Sequence, residues 1–271
     1  GSPFPEGAKV VQIESSAGPL SFNHAPDVAL VAGMGPALSA LDAAVAAASD
    51  DAWRSAAQAR CGRLAEQKAA DAAAYQGRLG KAWARTPISM PRVMAELRKA
   101  TPANALVVEE SITASVDFAA AFPFDGADQY LGARGGGIGQ GLAGAIGASV
   151  GSPGRPVLCV SGDGSAMYSI QALWSAAHHA LPVVFVILVN REYRVLKHNL
   201  DIYRQRFDAA SDKPYPKMDL GGPALGYVEM AAGMGVPGVR VTNPDDVAGA
   251  VAQAFAAGGP RLVEIAIEGK R

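Results

Sequence analysis

The sequence predicts an α/β protein whose parallel sheet is covered by helices on both faces. From about residue 87 onward, strand-length apolar runs alternate with helix-length stretches, which is typical of repeated strand–helix units. Two of the runs, Val157–Ser161 and Phe185–Val189, are apolar at nearly every position. Such continuous runs indicate strands that are buried on both faces, as in a parallel sheet.

The first 86 residues predict few elements. Lys9–Glu14 and Val28–Val31 are typical of short strands, and Pro36–Ala48 is an Ala-rich stretch that predicts a helix. These elements are too few to close a core of their own. The polar, Ala-rich residues 51–86 predict one or two connecting helices.

The remaining residues predict a second unit in which strands and helices alternate. The predicted strands are Ala105–Glu109, Pro156–Ser161, Val183–Val189, Val239–Val241 and Arg261–Ile267. The predicted helices are Thr113–Ala121, Ile138–Val150, Ser169–His179, Pro223–Gly233 and Asp245–Ala257. The stretch Arg191–Gly222 is rich in charge and proline, so an irregular segment is expected there.

Composition excludes several classes of protein. The 24 basic and 25 acidic residues leave no basic field for nucleic acid. No apolar segment reaches the length of a membrane span, and the first residues do not resemble a signal peptide, so we expect a cytoplasmic protein. The two cysteines do not form a disulfide framework, and Cys159 is expected in the core.

Polar residues end two of the predicted strands. Asp163 follows the strand that ends near Ser161, and Asn190 follows Val183–Val189. Ligands of open α/β sheets bind at the carboxyl ends of the strands. A carboxylate and an amide oxygen there, beside the backbone N–H groups that Gly162 and Gly164 expose, predict a site for Mg²⁺ and a phosphorylated ligand.

These residues carry a family resemblance. Gly162-Asp163-Gly164 followed by Asn190 resembles the metal and diphosphate motif of thiamine diphosphate (ThDP) enzymes. The run Gly162–Trp174 is most similar to benzoylformate decarboxylases, and acetolactate synthases share a looser version. The resemblance extends over nearly the whole chain, but only to the C-terminal half of such enzymes.

The resemblance implies a division of the chain into three parts. Residues 1–50 correspond to a C-terminal remnant of the family's central domain, and residues 51–86 to a helical connection between domains. Residues 87–271 correspond to the diphosphate-binding domain, which has the α/β fold expected above.

The resemblance also implies a set of metal ligands. The expected cofactors are ThDP and Mg²⁺, with Asp163, Asn190 and the backbone carbonyl of Glu192 as the protein ligands. Arg191 stands where relatives often have glycine, so a positive φ is less accessible to the backbone at this position.

Two further segments are implied to contact the diphosphate. Gly164 and Ser165 lead into a helix whose N-terminal amides favour an anion. The hydroxyls of Ser111 and Thr113 are candidates for the same phosphates. Either hydroxyl is equally suited to an N-cap, and the two roles are compatible.

A glycine-rich segment is implied to hold the cofactor rings. In ThDP enzymes a large apolar residue wedges between the two rings, and Ile138 matches it. The backbone carbonyl of Gly136 is then expected to accept a hydrogen bond from the aminopyrimidine. Glycines suit this segment because they allow the backbone to approach a ring closely.

The same segment supports a rival hypothesis. Gly139, Gly141 and Gly144 match the spacing of a dinucleotide fingerprint, and Asp163 could then bind a ribose of NAD. Against this Rossmann interpretation, Asp128–Arg134 is a poor buried strand to precede the fingerprint. The Rossmann interpretation also gives no role to Asn190.

The resemblance finally implies that a catalytic group is missing. ThDP enzymes need a glutamate at the pyrimidine, and it lies on a separate pyrimidine-binding domain, usually of the neighbouring subunit. No segment here resembles that domain, and Glu109 and Glu110 are expected on the phosphate side. We therefore expect no catalytic residue in this chain, no activity alone, and a homo-oligomeric enzyme as its context.

The function implied is the cofactor-binding portion of a ThDP- and Mg²⁺-dependent 2-oxo acid decarboxylase of the benzoylformate decarboxylase type. A portion of an acetolactate synthase-like carboligase is the alternative within the family. A non-catalytic partner subunit is an alternative of another class, although such a subunit has no need of Asp163 and Asn190 together. The expected partners are the pyrimidine-binding domain and a small 2-oxo acid.

Overall fold

The computed structural model describes residues 3–132, 134–209, 211, 213 and 215–269. Ala133, in the stretch considered as a poor strand, and residues 210, 212 and 214, in the segment expected to be irregular, lie outside the described residues. The chain divides into two compact units, Gly1–Ala70 and Asp71–Arg271. This boundary lies inside one helix, and the three-part division above stays a prediction.

The first unit has a small parallel sheet and Ala-rich helices. Strands β1 (Val11–Glu14) and β2 (Val28–Val31) pair in parallel, and helix α1 (Met34–Ala48) follows them. Helix α2 (Asp51–Ala82) is one continuous helix that begins in this unit. No described residue of the unit is buried, as expected of a segment with too few elements for a core.

The second unit is built on a six-stranded sheet. Its strands are β3 (Leu106–Glu110), β4 (Tyr130–Gly132), β5 (Val157–Gly162), β6 (Val183–Val189), β7 (Gly238–Val241) and β8 (Arg261–Ala266). Every pairing is parallel, in the order β4-β3-β5-β6-β8-β7. The predicted α/β class and all five predicted strands of this unit are confirmed.

Helices cover both faces of the sheet. One face carries α3 (Met90–Ala100), α4 (Ser115–Ala121) and α10 (Val247–Ala256), and the other carries α5 (Gln140–Gly151), α7 (Ala172–His178) and α9 (Tyr227–Gly233). Consecutive β5 residues alternate between the two cores, so that Leu158 packs on the first face and Cys159 on the second. Burial raises the pKa of the Cys159 thiol, which fits an inert core residue.

Two elements differ from the sequence prediction. Asp128–Arg134 contains the edge strand β4, which is short and largely exposed and therefore lacks the apolar pattern of a buried strand. The segment expected to be irregular contains helix α8 (Arg194–Arg206). No residue of α8 is buried, so no buried apolar run marks the helix, and the prolines that suggested irregularity lie beyond its end.

The order of the strands creates a crevice between β3 and β5. The chain leaves β3 toward β4 on one side and leaves β5 toward β6 on the other. Such a reversal opens a ligand crevice at the carboxyl ends of the two strands. Ser111 follows β3 there and Asp163 follows β5 in the four-residue helix α6 (Asp163–Ala166). None of the described helices is long and apolar enough to cross a membrane.

Candidate metal and phosphate site

Asp163 lies at the centre of the candidate site. Its side chain is buried, with the residue only 4% exposed. One carboxylate oxygen accepts the N–H of Gly164 at 2.8 Å, and the other accepts the N–H groups of Asn190 at 3.1 Å and Arg191 at 2.7 Å. The structure thus brings Asp163 and Asn190 together, as their positions at neighbouring strand ends predict.

Burial raises the pKa of the Asp163 carboxyl above its ordinary value, although the three backbone N–H groups act in the opposite direction. A carboxylate that is costly to ionise in this way is stabilised by a nearby cation. The chemistry of the site therefore fits a bound metal ion.

The residues after Asn190 form a tight turn. Arg191 adopts a φ of +60°, so the expectation that a positive φ is less accessible at this position does not hold. The Glu192 N–H donates to Asn190 Oδ1 at 2.9 Å. Within the described residues, no group donates a hydrogen bond to the Glu192 carbonyl. Carboxylate, amide and carbonyl oxygens are the donors that Mg²⁺ accepts, so the residues present fit the expected ion.

The glycines beside Asp163 allow close packing of the site. A Cβ on Gly164 would lie 2.7 Å from the ring of Tyr193, so the segment after Asn190 packs directly on this backbone. Gly162 lies beside β3, since a Cβ there would lie 4.0 Å from the Ser111 carbonyl oxygen. The N–H of Ser165 is in the first turn of α6, where no helical acceptor precedes it.

Ser111 and Thr113 have different environments. The Ser111 hydroxyl donates to the buried carboxylate of Glu109, which also accepts the Ser111 N–H at 2.6 Å. Thr113 lies in a 3₁₀ turn at residues 112–114 and lines a cavity. Neither hydroxyl makes a helix cap. The preceding residue of the turn, Ile112, has a φ of +52°, and such strain in a β-branched residue often marks a functional site.

The glycine segment forms a loop before α5. Gly135 and Gly136 have φ values of +71° and +72°. The Gln140 side chain holds the loop, because its amide nitrogen donates to the Arg134 carbonyl at 2.6 Å and to the Gly137 carbonyl at 2.9 Å. Ile138 is 38% exposed. An exposed apolar side chain on a braced loop suits the role expected of Ile138.

Glu110 occupies the N-terminus of α5. Its carboxylate, only 1% exposed, accepts the N–H groups of Gly139 at 2.7 Å, Gln140 at 3.0 Å and Gly141 at 2.9 Å. Glu110 therefore contacts the glycine segment at the start of α5, and its expected place on the phosphate side stays a prediction. The same bonds count against the dinucleotide hypothesis, since the amides that a pyrophosphate needs are already occupied.

Glu109 faces the opposite side of β3. Its carboxylate accepts hydrogen bonds from the hydroxyls of Ser111, Ser115 and Tyr130. Burial, together with the nearby Glu109 charge, raises the pKa of Tyr130 to about 12. This cluster links β3, α4 and β4 beside the crevice.

Sequence reasoning missed two residues of the site. Tyr227 is fully buried, and its hydroxyl donates to the Asp163 carbonyl at 2.8 Å. Lys197 Nζ lies 2.6 Å from a carboxylate oxygen of Glu192 and 2.8 Å from one of Asp219. No motif contains Tyr227, and Lys197 lies in the segment that was expected to be irregular.

A cavity of about 740 Å³ lies next to the metal candidates. Its lining includes Ile112, Thr113, Glu192, Lys197 and His198. This volume lies in the range of small-molecule sites. His198 lies in the segment that was expected to be irregular, and it belongs to helix α8.

Comparison with protein families agrees with this geometry. The C-terminal TPP-binding domain of thiamine pyrophosphate enzymes matches residues 113–265, which is more than half of the chain. Thiamine pyrophosphate is another name for ThDP. The chain belongs to this family.

Individual relatives agree with the resemblance to ThDP enzymes. A Mycobacterium tuberculosis protein named as an acetolactate synthase large subunit, IlvX, is 43% identical over 170 residues, which cover 61% of this chain and 32% of the relative. A benzoylformate decarboxylase of Pseudomonas aeruginosa is 34% identical over 165 residues, which cover 60% of this chain and 29% of the relative. IlvX is the more similar of these two, so the similarity does not choose between the two activities.

A solved structure gives the same result. The ThDP-dependent 4-hydroxybenzoylformate decarboxylase of Rhodococcus jostii RHA1 superposes with a TM-score of 0.62 at 33% identity, over 69% of this chain and 34% of that protein. The ThDP-binding domain and its α/β fold are thereby shown. The chain spans about a third of the length of each of these three relatives.

Proposed function

We propose that this chain forms the diphosphate and Mg²⁺ site of a ThDP-dependent 2-oxo acid decarboxylase of the benzoylformate decarboxylase type. One observation carries the proposal. Asp163 is buried at the carboxyl end of β5 and bonded to the backbone of Asn190 and Arg191, next to a Glu192 carbonyl that accepts no hydrogen bond from a described residue. Asp163, Asn190 and Glu192 together would supply three oxygen ligands to Mg²⁺.

The remaining predicted residues would bind and orient the cofactor. Ser165 N–H and the Thr113 hydroxyl would contact the diphosphate, and Ile138 would support the rings from the glycine loop. When bound, ThDP supplies an electron sink for cleavage of the bond beside the keto carbon of a 2-oxo acid. The Ser111 hydroxyl is already bonded to Glu109, so it would have to exchange partners to reach a phosphate.

Turnover would require a carboxylate that the described residues do not offer at the glycine segment. Glu110 is the carboxylate that contacts the glycine segment, but it is buried and accepts three backbone N–H groups. It is therefore committed to holding α5. We propose that a pyrimidine-binding domain, of the same or a neighbouring subunit in a homo-oligomer, completes the site. A cytoplasmic location stays a prediction from the sequence.

An acetolactate synthase-like carboligase is the second candidate. The 43% identity to the Mycobacterium tuberculosis protein supports it. Both activities would use the same diphosphate site, so the product would distinguish them. Release of an aldehyde by the completed enzyme supports a decarboxylase, and joining of two carbonyl compounds supports the carboligase.

Calorimetric titration with ThDP tests the proposal. We expect weak binding to the wild-type chain that requires Mg²⁺ and disappears in Asp163→Ala. Asp128→Asn is the matched control, because it removes a carboxylate that is paired with Arg155 and exposed at the surface. Binding that persists without Mg²⁺, or that Asp163→Ala leaves unchanged, would contradict the proposed site.

A further inference from the structure

The segment Asn190–Tyr193, named here the metal turn, is held to β5 by its backbone. The N–H groups of Asn190 and Arg191 donate to Asp163, and the N–H of Glu192 donates to the Asn190 side chain. These bonds hold the first half of the turn. They do not bond the side chain of Glu192.

A second segment, residues 218–220, pairs with the metal turn on the side away from β5. The Tyr193 N–H donates to the Met218 carbonyl at 2.9 Å, and the Leu220 N–H donates to the Arg191 carbonyl at 2.8 Å. Glu192 and Asp219 thus face each other across a short antiparallel bridge. Two carboxylates on facing residues repel each other unless a cation lies between them.

Lys197 provides that cation. It lies on α8, one turn beyond the metal turn, and its ammonium contacts both carboxylates. The Glu192 side chain is only 3% exposed and that of Lys197 only 14%. A buried carboxylate that loses its partner is strongly destabilised, so the position of Glu192 depends on Lys197.

We propose that Lys197 is a positioning residue for the metal site. Its ammonium holds Glu192 against Asp219 and so keeps the metal turn in the conformation in which no described residue donates a hydrogen bond to the Glu192 carbonyl. Two carboxylates already neutralise the ammonium, which makes it less suited to binding a substrate anion. This inference rests on the proposed function, because the carbonyl matters only if it binds Mg²⁺.

Two readouts on the full chain test the proposal. Lys197→Met removes the charge and keeps most of the side-chain volume, and Lys197→Arg keeps the charge. Lys99→Met, at an exposed position in the last turn of α3, is the matched control. The first readout is hydrogen exchange of the Asn190 and Arg191 amides, with Val186 in β6 as an internal reference for global unfolding. The second is the Mg²⁺-dependent Kd for ThDP.

We expect Lys197→Met to speed exchange of the two turn amides, relative to Val186, and to weaken ThDP binding, each by at least about tenfold. Lys197→Arg should restore both, and Lys99→Met should change neither. Unchanged exchange in Lys197→Met overturns the proposal, as does faster exchange with an unchanged Kd. If the wild-type chain binds no ThDP, the proposed function fails for this chain, and the exchange rates alone decide whether Lys197 orders the turn.

Discussion

Arg191 shows how the site imposes a conformation on a single residue. Its φ of +60° is unfavourable for a residue with a Cβ. The conformation persists because the Arg191 N–H donates to Asp163 at 2.7 Å and the Arg191 carbonyl accepts the Leu220 N–H at 2.8 Å. These two hydrogen bonds of the backbone thus hold Arg191 in a conformation that glycine would adopt without strain.

Substitution at this position tests the explanation. Arg191→Gly should leave the free energy of unfolding within about 1 kcal/mol of wild type, because relief of strain offsets the greater freedom of the unfolded chain. Arg191→Val should lower it by about 1–2 kcal/mol relative to Arg191→Gly, because a β-branched residue is least suited to this region. Chemical denaturation measures both, and equal stability of the two variants would count against the explanation.

At the residue scale, the sequence allowed prediction of the site residues that directly follow a strand. Asp163 and Asn190 could be predicted because each follows an apolar strand that continues to a sheet edge. Tyr227 could not, because it bonds to Asp163 from 64 positions away and lies in no motif. Its contact depends on how α9 packs on the sheet, which local sequence does not encode.

At the element scale, helix α5 contains one glycine that a close contact requires and another that no contact requires. A Cβ on Gly141 would lie 2.9 Å from the Glu110 Cβ, whereas a Cβ on Gly147 of the same helix would have nothing within 4 Å. Gly141 therefore permits the close approach by which Glu110 caps the helix. Of the three glycines that match a dinucleotide fingerprint, Gly141 is the one that meets Glu110, whereas a Cβ on Gly139 would meet Tyr168.

Alanine substitutions distinguish the two positions. Gly141→Ala should lower the free energy of unfolding by about 1–3 kcal/mol through overpacking. Gly147→Ala should raise it by up to about 1 kcal/mol, because alanine has the higher helix propensity. Thermal or chemical denaturation of both variants provides the comparison. A stabilising Gly141→Ala would mean that the contact with Glu110 is not tight.

In the second unit, apolar runs predicted the buried strands, and two exposed elements, α8 and β4, were missed. The five strands β3, β5, β6, β7 and β8 were all predicted, although β7 has only one buried residue. Helix α8 was missed because none of its side chains is buried, and β4 because it is a three-residue edge strand. Exposed elements carry little hydrophobic pattern, so their form depends on the rest of the fold.

At the scale of the whole molecule, the family domain occupies the second unit. The match to the TPP-binding domain covers residues 113–265, all within Asp71–Arg271. The chain spans about a third of the length of the relatives described above.

We expect the purified chain to show no decarboxylation of benzoylformate, even with saturating ThDP and Mg²⁺. The physical reason is the absence of a free carboxylate at the glycine segment among the described residues, where Glu110 is committed to α5. A coupled assay of aldehyde formation measures this. Addition of a pyrimidine-binding domain from a related enzyme should produce turnover, and turnover by the chain alone would refute the expectation.

The most direct test of the central claim is an amide NMR titration of the chain with ThDP, with and without Mg²⁺. The Asp163–Asn190 edge is predicted to be the diphosphate site, so shift changes should require Mg²⁺ and cluster at Gly162–Ser165, Asn190–Glu192 and Thr113. The same titration with NAD should leave these amides and those of Gly139–Gly144 unchanged. Changes that appear with NAD at Gly139–Gly144, and none with ThDP at Asp163, would contradict the account.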